Sequence, residues 1–289
     1  MSNNVTSEQL PDFNHPDELY KTLIKPIRDD FISGIIDQAN TSDTFSPWDK
    51  DLSWKERQAP IIELKTLVKN WASNWLENLD KRNFPFIYIM NGNSDYLNDL
   101  FRRRPNIAFK KGDYSYYSKW HQRLGLHCGV LTEPAPVEDI VVSWPGYNYG
   151  DSTELDFARK CNPVRLHLDC AYLGLVEPIK TDVTGFETVA ISLSKSFAIP
   201  YNRISVVFSK TELPDLEILN KIGYVNLAAV KIAVKLLKSV PHDYWWNTYS
   251  GRIAEVCQKH NLTPTKSIMF AYDKYGRRLS LAPYLREQQ

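Results

Sequence analysis

The sequence predicts an α/β fold in which a mostly parallel mixed sheet is flanked by helices. Strand-like and helix-like apolar patterns alternate through the middle of the chain, which is the order that such a sheet requires. The run from Phe84 to Met90 is almost continuously apolar, as expected of a strand that is covered on both faces. From Ile61 to Leu79 the apolar residues recur mostly at steps of three and four, which indicates a helix.

The same patterns predict the remaining elements and the division of the chain. Strands are predicted at residues 107–109, 139–143, 164–168, 188–192, 204–208, 267–272 and 278–281. Helices are predicted at residues 23–39, 94–103, 117–124 and 246–260, with one long helical region after Pro214. We therefore expect an N-terminal segment at 1–55, a large domain at 56–240 and a reduced α+β C-terminal lobe at 241–289.

Composition and charge exclude several classes of protein. Hydrophobic residues make up 43 % of the chain and the net charge is +1, which gives no general attraction to nucleic acid or to an anionic membrane. The apolar stretches are too short or too interrupted to span a bilayer, and the polar N-terminus predicts no signal peptide. The four cysteines, Cys128, Cys161, Cys170 and Cys257, lack metal-ligand spacing and are predicted to be free thiols. We expect a soluble, cytoplasmic protein.

Polar residues follow two predicted strands in the middle of the chain. Asp169 ends one apolar strand, where a buried carboxylate is costly without a cation nearby. Lys195 follows another strand. Ser192 and Ser194 precede it, a further serine comes directly after it, and Arg203 comes eight residues later. Because open α/β sheets bind ligands at the carboxyl ends of their strands, Asp169 and Lys195 are predicted to meet at one edge.

A third polar group opens a predicted helix. Gly92, Asn93 and Ser94 follow the strand that ends at Met90, with one residue between them. Backbone N–H groups at such a helix start favour an anion such as phosphate. Ser94 is equally compatible with a plain helix cap, so the pattern alone leaves its role open.

Taken in order, these motifs resemble the fold-type I pyridoxal-phosphate enzymes, and most closely the class I/II aminotransferases. The Ser-x-Ser-Lys sequence and its later Arg are matched at 192–203, and Asp-x-Ala-Tyr is matched at 169–172. The phosphate turn is matched at 92–94, and Arg-x-Ser-x-Ala at 278–282. The resemblance extends from about residue 60 to residue 283 and implies an aspartate-aminotransferase-like large domain.

The resemblance implies pyridoxal 5'-phosphate as the cofactor and assigns it catalytic partners. Lys195 would form the Schiff base and then move the α proton of an L-amino acid. Asp169 would face the pyridine nitrogen, and Tyr172 would bind the 3-oxygen of the cofactor. Tyr114 would stack on the ring, although Tyr114 and Tyr172 are also compatible with core packing.

Further residues of the resemblance would bind the phosphate and the substrate. Arg203, Ser192, Ser194 and residues 92–94 would hold the phosphate. Arg278 would bind the substrate carboxylate, with Arg277 beside it as the alternative. One departure concerns the family asparagine at the 3-oxygen: Tyr147 occupies that place in strict register, and Asn148 follows one residue late. A one-residue adjustment of the loop would bring Asn148 to the 3-oxygen, and Asn148 is the residue predicted to bind the cofactor there. His167, two residues before Asp169, is interpreted as a core histidine.

Three functions remain open at this level. The first is an aminotransferase that uses an L-amino acid and a 2-oxo acid. The second is a pyridoxal-phosphate lyase or cyclase that carries out elimination, replacement or cyclisation in a specialised biosynthetic pathway. The third is a catalytically inactive relative, which the retained Lys195, Asp169 and Arg203 argue against. The resemblance also implies a homodimer.

Overall fold

A computed structural model describes residues 27–42, 53–124, 129–199 and 202–286. The helices are α1 (Asp30–Ser42), α2 (Trp54–Ala72), α3 (Asn93–Arg103), α4 (Ser115–Leu124), α5 (Thr153–Lys160), α6 (Pro214–Lys221), α7 (Leu227–Ser239), α8 (Tyr244–His260) and α9 (Ala282–Arg286). The longer strands are β2 (Phe86–Met90), β5 (Asp139–Ser143), β6 (Arg165–Cys170), β8 (Phe186–Ser192) and β9 (Ser205–Ser209). The short strands are β1 (Leu76–Glu77), β3 (Phe109–Lys110), β4 (Val130–Leu131), β7 (Thr181–Asp182), β10 (Thr263–Pro264), β11 (Phe270–Tyr272) and β12 (Arg278–Ser280).

The central sheet has the order β2-β9-β8-β6-β5. Strands β5, β6 and β8 are parallel, and β9 runs antiparallel to both β8 and β2. The segment before β3 lies next to β5, because Ala108 forms an isolated parallel bridge with Ile140. The predicted fold class is confirmed: the sheet is mixed, mostly parallel and flanked by helices.

Helix α2 differs from its predicted range at both ends. It begins earlier because Ser53 and Glu56 form a capping box, in which each side chain accepts from the backbone N–H of the other residue. It ends at Ala72, whereas the apolar spacing predicted a helix as far as Leu79. The residues beyond it form β1, which pairs in parallel with β7, so strand pairing prevails over helical spacing there.

The helical region predicted after Pro214 is two helices. Helix α6 ends at Lys221, and α7 begins after Asn226, whose side chain accepts from the N–H of Ala229. Gly223 lies between them at a φ of +70°, a conformation that residues with a Cβ rarely adopt. Helix α5 was missed by the sequence analysis, although its acidic first turn and basic last turn are helix signals.

The C-terminal residues form α8, a three-stranded antiparallel sheet in the order β10-β11-β12, and α9. Trp245 and Tyr249 of α8 are buried in the same core cluster as the central sheet. Trp71 and Trp75 also lie in this cluster, with ring centroids 4.9 Å apart. These tryptophans pack in the interior.

Three of the four cysteines lie within the described residues, and all three are buried free thiols: Cys161, Cys170 and Cys257. Cys128 lies outside that range. Among the helices that the structure describes, none has the length and apolar character needed to cross a bilayer.

Candidate active site

The strands of the central sheet bring the polar residues of the three sequence motifs to one edge. Asp169 near the end of β6 lies opposite Ser143 of β5 and Ala190 of β8. Because β9 is antiparallel, its first residue, Ser205, pairs with Ser192 at the end of β8. The same residue pairs with Met90 at the end of β2. The carboxyl ends of four strands therefore meet the amino end of β9.

Lys195 lies in the turn that follows β8 and is partly exposed. Its Nζ lies 4.0 Å from the centroid of the Tyr172 ring and 5.7 Å from that of Tyr114. Burial lowers the pKa of the Lys195 amine, and Arg203 adds to this effect, whereas Tyr114 and Asp169 oppose it. A larger fraction of this amine is therefore unprotonated at neutral pH than of an ordinary lysine.

Asp169 is almost completely buried, with an exposed fraction of 1 %. Its Oδ1 accepts a hydrogen bond from Asn93 Nδ2 at 2.5 Å, and its Oδ2 accepts one from the Tyr117 hydroxyl at 3.0 Å. Burial raises the pKa of Asp169, while these two hydrogen bonds and the Lys195 charge favour the ionised form. Sequence reasoning missed this role of Tyr117 and assigned Asn93 only to the phosphate turn.

The turn before α3 lies against Arg203. Gly92 has a φ of +88°, and α3 begins without a side-chain cap. The Arg203 guanidinium donates to Ser94 Oγ at 2.9 Å and to the Asn91 carbonyl at 3.3 Å. Ser94 therefore accepts from Arg203 and does not cap the helix. This arrangement places a guanidinium and uncapped first-turn N–H groups side by side, as an anion site requires.

The serines around Lys195 stabilise its turn. Ser194 Oγ accepts from the Ile204 N–H, and Ser192 Oγ accepts from the Ser194 N–H, both at 3.4 Å. Ser196 Oγ donates to the Leu173 carbonyl at 2.6 Å. These bonds hold the Lys195 backbone against the neighbouring segments of the sheet edge.

The loop after β5 places Tyr147, and not Asn148, among the other tyrosines. The Tyr147 ring lies 5.1 Å from Tyr114 and 6.4 Å from Tyr172, measured between centroids. The Asn148 amide instead donates to the Gly112 carbonyl at 2.9 Å and to Glu154 Oε1 at 2.8 Å. The one-residue adjustment that would bring Asn148 into the place of the family asparagine is therefore not seen.

Two neighbouring arginines in β12 and the turn before it have different surroundings. Arg278 Nη1 donates to the Tyr147 carbonyl at 2.8 Å, and its Nη2 donates to the Tyr147 hydroxyl. Its guanidinium carbon lies 3.5 Å from the centroid of the Tyr147 ring. Arg277 is exposed and pairs with Asp273 at 2.7 Å. Tyr114, Tyr147 and Tyr172 form a tyrosine cluster. Of the two arginines, Arg278 is the one beside this cluster, where it contacts Tyr147.

His167 is a buried structural residue. Its ring nitrogens lie 2.8 Å from Thr188 Oγ1 and 3.1 Å from Asp139 Oδ1. Burial lowers the pKa of His167, and the bond to Asp139 opposes this effect. Both ring nitrogens have partners within the sheet, which confirms the interpretation as a core histidine.

Similar solved structures place this arrangement in a known fold. An aminotransferase, AspB from Helicobacter pylori, matches with a TM-score of 0.61 over 93 % of this chain and 90 % of its own, at 14 % identity. The chain has the aminotransferase fold. A pyridoxal-phosphate-bound C-S lyase from Staphylococcus hominis also matches this chain, with a TM-score of 0.63. That match covers 100 % of this chain and 83 % of the lyase, at 10 % identity.

A third structure with this fold, an aminotransferase from Mycobacterium tuberculosis, has a TM-score of 0.56 and 17 % identity. The match covers 86 % of this chain and 77 % of that aminotransferase. Neither a protein-family model nor a curated protein matches the sequence. The identities are low, so these similarities establish the aminotransferase fold and no particular activity.

The residues at the edge of this aminotransferase fold are chemically suited to pyridoxal phosphate. A Cβ added at Gly92 would lie 2.8 Å from Arg203 Nη2, so only glycine leaves this turn open beside the guanidinium. Asn93 Oδ1 is buried and has no hydrogen-bond partner within the described chain. A buried carboxylate, a lysine of lowered pKa and a guanidinium beside an uncapped helix start together suit a cofactor that has a basic ring nitrogen, an aldehyde and a phosphate.

Replacing Gly92 with alanine is expected to destabilise the protein by about 1–2 kcal/mol, because an L residue at a φ of +88° is strained. The new methyl group would also push Arg203 away from Ser94. Urea unfolding measures the first effect, and titration with inorganic phosphate measures the second.

Gly276 provides the matched control for this prediction. It also has a positive φ, +75°, but a Cβ there would meet nothing within 4 Å. Gly276→Ala is therefore expected to cost similar stability and to leave phosphate binding unchanged. Equal phosphate affinity in the two variants would show that Gly92 and Arg203 form no anion site.

Proposed function

We propose that this protein is a pyridoxal-phosphate-dependent enzyme that acts on an L-amino acid through Lys195, and that it transfers the amino group to a 2-oxo acid. The observation that carries the proposal is the meeting of Lys195 and Asp169 at one sheet edge of an aminotransferase fold, next to Arg203. When bound, pyridoxal phosphate supplies an electron sink for the electrons released at the substrate's α carbon.

The chain offers a residue for each part of this cofactor. Arg203 and Ser94, with the first N–H groups of α3, would hold the phosphate, and Ser192 and Ser194 complete this side of the site. Asp169 would hold the ring nitrogen in its protonated form, because a carboxylate stabilises the cation beside it. Tyr114 and Tyr172 would contact the ring and the 3-oxygen.

Lys195 would carry out the proton transfers. Because its pKa is lowered by burial, its Nζ is available as a nucleophile and as a base. The unprotonated amine would accept the proton from the α carbon of the bound amino acid and return it at a neighbouring carbon. The aromatic rings of Tyr172 and Tyr114 lie beside Nζ, with their centroids 4.0 Å and 5.7 Å away.

Arg278 would bind the carboxylate of the amino acid. Its guanidinium is oriented by two hydrogen bonds to Tyr147, and a guanidinium offers paired donors that match a carboxylate. Tyr147, in place of the family asparagine, contributes a phenol to this part of the site.

One observation favours a second candidate, a lyase or cyclase of the same cofactor class. The departure at Tyr147 lies where substrate and cofactor would meet, and the C-S lyase with the same fold covers the whole of this chain. The reaction would then be elimination, replacement or cyclisation in a specialised biosynthetic pathway. The same Lys195 and Asp169 would serve either outcome.

We further propose a cytoplasmic homodimer built from a segment at 1–55, a large domain at 56–240 and a small C-terminal domain at 241–289. The three buried thiols within the described residues are unpaired, which suits a reducing compartment. The fold resemblance supports the dimer. Sedimentation at micromolar concentration tests it, and a monomer there would contradict it.

The first experiment is an absorbance spectrum of the purified protein with pyridoxal phosphate, before and after borohydride reduction. We expect a near-visible band that borohydride removes, and a pyridoxyl label on Lys195 in peptide mass mapping. Conversion of the cofactor to its amine form by an amino acid would then favour transamination. Release of ammonia with an unsaturated or cyclised product would favour the lyase or cyclase. Absence of both band and label would contradict the proposed function.

A further inference from the structure

A buried carboxyl group outside the motifs links two of the loops at the site. Asp113, in the turn before α4, has an exposed fraction of 5 %. Its Oδ1 accepts from the Tyr114 N–H at 2.6 Å and from the Ser143 hydroxyl, and its Oδ2 accepts from the Ser143 N–H at 3.2 Å. All three of these donors are uncharged, so no formal positive charge among them compensates the burial of a carboxylate.

Ser143 extends this link to the loop after β5. Its Oγ donates to Asp113 and accepts from the Tyr147 N–H at 3.0 Å. One carboxyl group therefore holds the backbone of Tyr114 directly and that of Tyr147 through a single hydroxyl. The two tyrosine rings lie 5.1 Å apart, and the Tyr114 ring centroid lies 5.7 Å from Lys195 Nζ.

A second carboxyl group, that of Glu154, increases the free-energy cost of burying Asp113 in its charged form. Glu154 is fully buried, and the Asn148 amide connects its Oε1 to the Gly112 carbonyl beside Asp113. Burial raises the pKa of Asp113 to about 7, and the charge of Glu154 contributes to the increase. Strongly perturbed groups of this kind concentrate at functional sites, where position matters more than stability.

We propose that Asp113 is a positioning residue of this site: through the Tyr114 N–H it holds the Tyr114 ring beside Lys195, and through the Ser143 hydroxyl it holds the Tyr147 ring against Tyr114. Loss of the carboxylate releases both loops, so more water reaches Lys195 Nζ and Tyr147 no longer holds Arg278 in place. The consequence for catalysis rests on the proposed function, whereas the placement of the rings does not.

The test uses the cofactor-free protein, so that it is independent of the proposed function. The rate at which acetic anhydride acetylates Lys195, followed by peptide mass mapping across a pH series, reports the pKa of this amine. In Asp113→Asn we expect the midpoint to rise by at least about 0.5 pH unit, because solvent stabilises the charged amine. Loss of a negative charge alone would shift the midpoint down, so the sign separates release of the rings from a change in charge.

Two further variants keep the proposal falsifiable. Ser143→Ala retains the carboxyl group but removes the hydroxyl that reaches Tyr147, and we expect a shift in the same direction as for Asp113→Asn. It also serves as the test if Asp113→Asn does not fold. An unchanged or lowered midpoint in the folded variants would overturn the proposal.

Asp29→Asn is the matched control. Asp29 is also 5 % exposed, and it accepts from the N–H of Ile32 and from the hydroxyls of Tyr244 and Tyr249. Its loss should lower stability without moving the Lys195 midpoint. An equal shift in this variant would mean general loosening of the protein and would also overturn the proposal. If pyridoxal phosphate fails to bind while the Asp113 shift is observed, only the proposed function is contradicted.

Discussion

The variant Lys195→Ala is expected to lose about 10⁴-fold in kcat/KM for turnover of an amino acid, equivalent to about 5 kcal/mol of transition-state stabilisation. Alanine removes both the nucleophile and the base, and water is a poor substitute because it is a weaker nucleophile and a weaker base than an unprotonated amine. The borohydride-reducible cofactor band should disappear in the same variant. Steady-state kinetics and absorbance of the reconstituted protein measure both effects.

Lys238→Ala is the control for this experiment. Lys238 lies in the last turn of α7 and forms a surface ion pair with Glu63, an interaction that typically contributes little to stability. The control variant should retain the band and the activity. A normal band in Lys195→Ala would place the reactive amine elsewhere in the chain.

The variant Asp169→Asn is expected to lower kcat by about 10³-fold, or about 4 kcal/mol, while the cofactor still binds. Asparagine has the same shape and can keep a hydrogen bond with Asn93 or Tyr117. It has no negative charge to hold the proton on a ring nitrogen, so the cofactor becomes a weaker electron sink. Single-turnover kinetics with a saturating amino acid separates this chemical step from binding.

Tyr117→Phe and Asp29→Asn show whether the loss in Asp169→Asn comes from charge. Tyr117→Phe removes one of the donors to the carboxylate but leaves the charge in place, so its kcat should lie much closer to the wild-type value. Asp29→Asn replaces a buried carboxyl group elsewhere and should leave kcat unchanged. Equal losses in Tyr117→Phe and Asp169→Asn would mean that hydrogen-bond geometry, and not charge, makes Asp169 important.

The apolar spacing of the sequence correctly predicted the strands and the helix that carry the motifs. The strand ending at Met90, the helix after Gly92 and the strands before Asp169 and Lys195 all form close to their predicted positions. Each depends on apolar residues at short spacing, which act within one segment. Strand pairing is not a local property, so the apolar spacing predicted a helix over residues 76–77, which belong to β1.

The surroundings of Asp169 illustrate what local patterns could not provide. Its partners come from positions 76 and 52 residues earlier in the chain, Asn93 and Tyr117. Asn93 lies within a motif, but its side chain reaches the carboxylate only because β2 and β6 are in the same sheet. Tyr117 is one of 16 tyrosines, and its spacing alone does not distinguish it from a core residue.

The sequence by itself determined the fold class, the elements that carry the motifs and the Lys195, Asp169 and Arg203 motifs, because periodicity and spacing are properties of a single segment. Tertiary structure decided which of these residues meet. The antiparallel direction of β9 brings Arg203 to the carboxyl edge, next to Ser94 and across from the Lys195 turn. Tyr147 lies in the tyrosine cluster because Glu154 and Gly112 bind the Asn148 amide, a contact that depends on packing between segments.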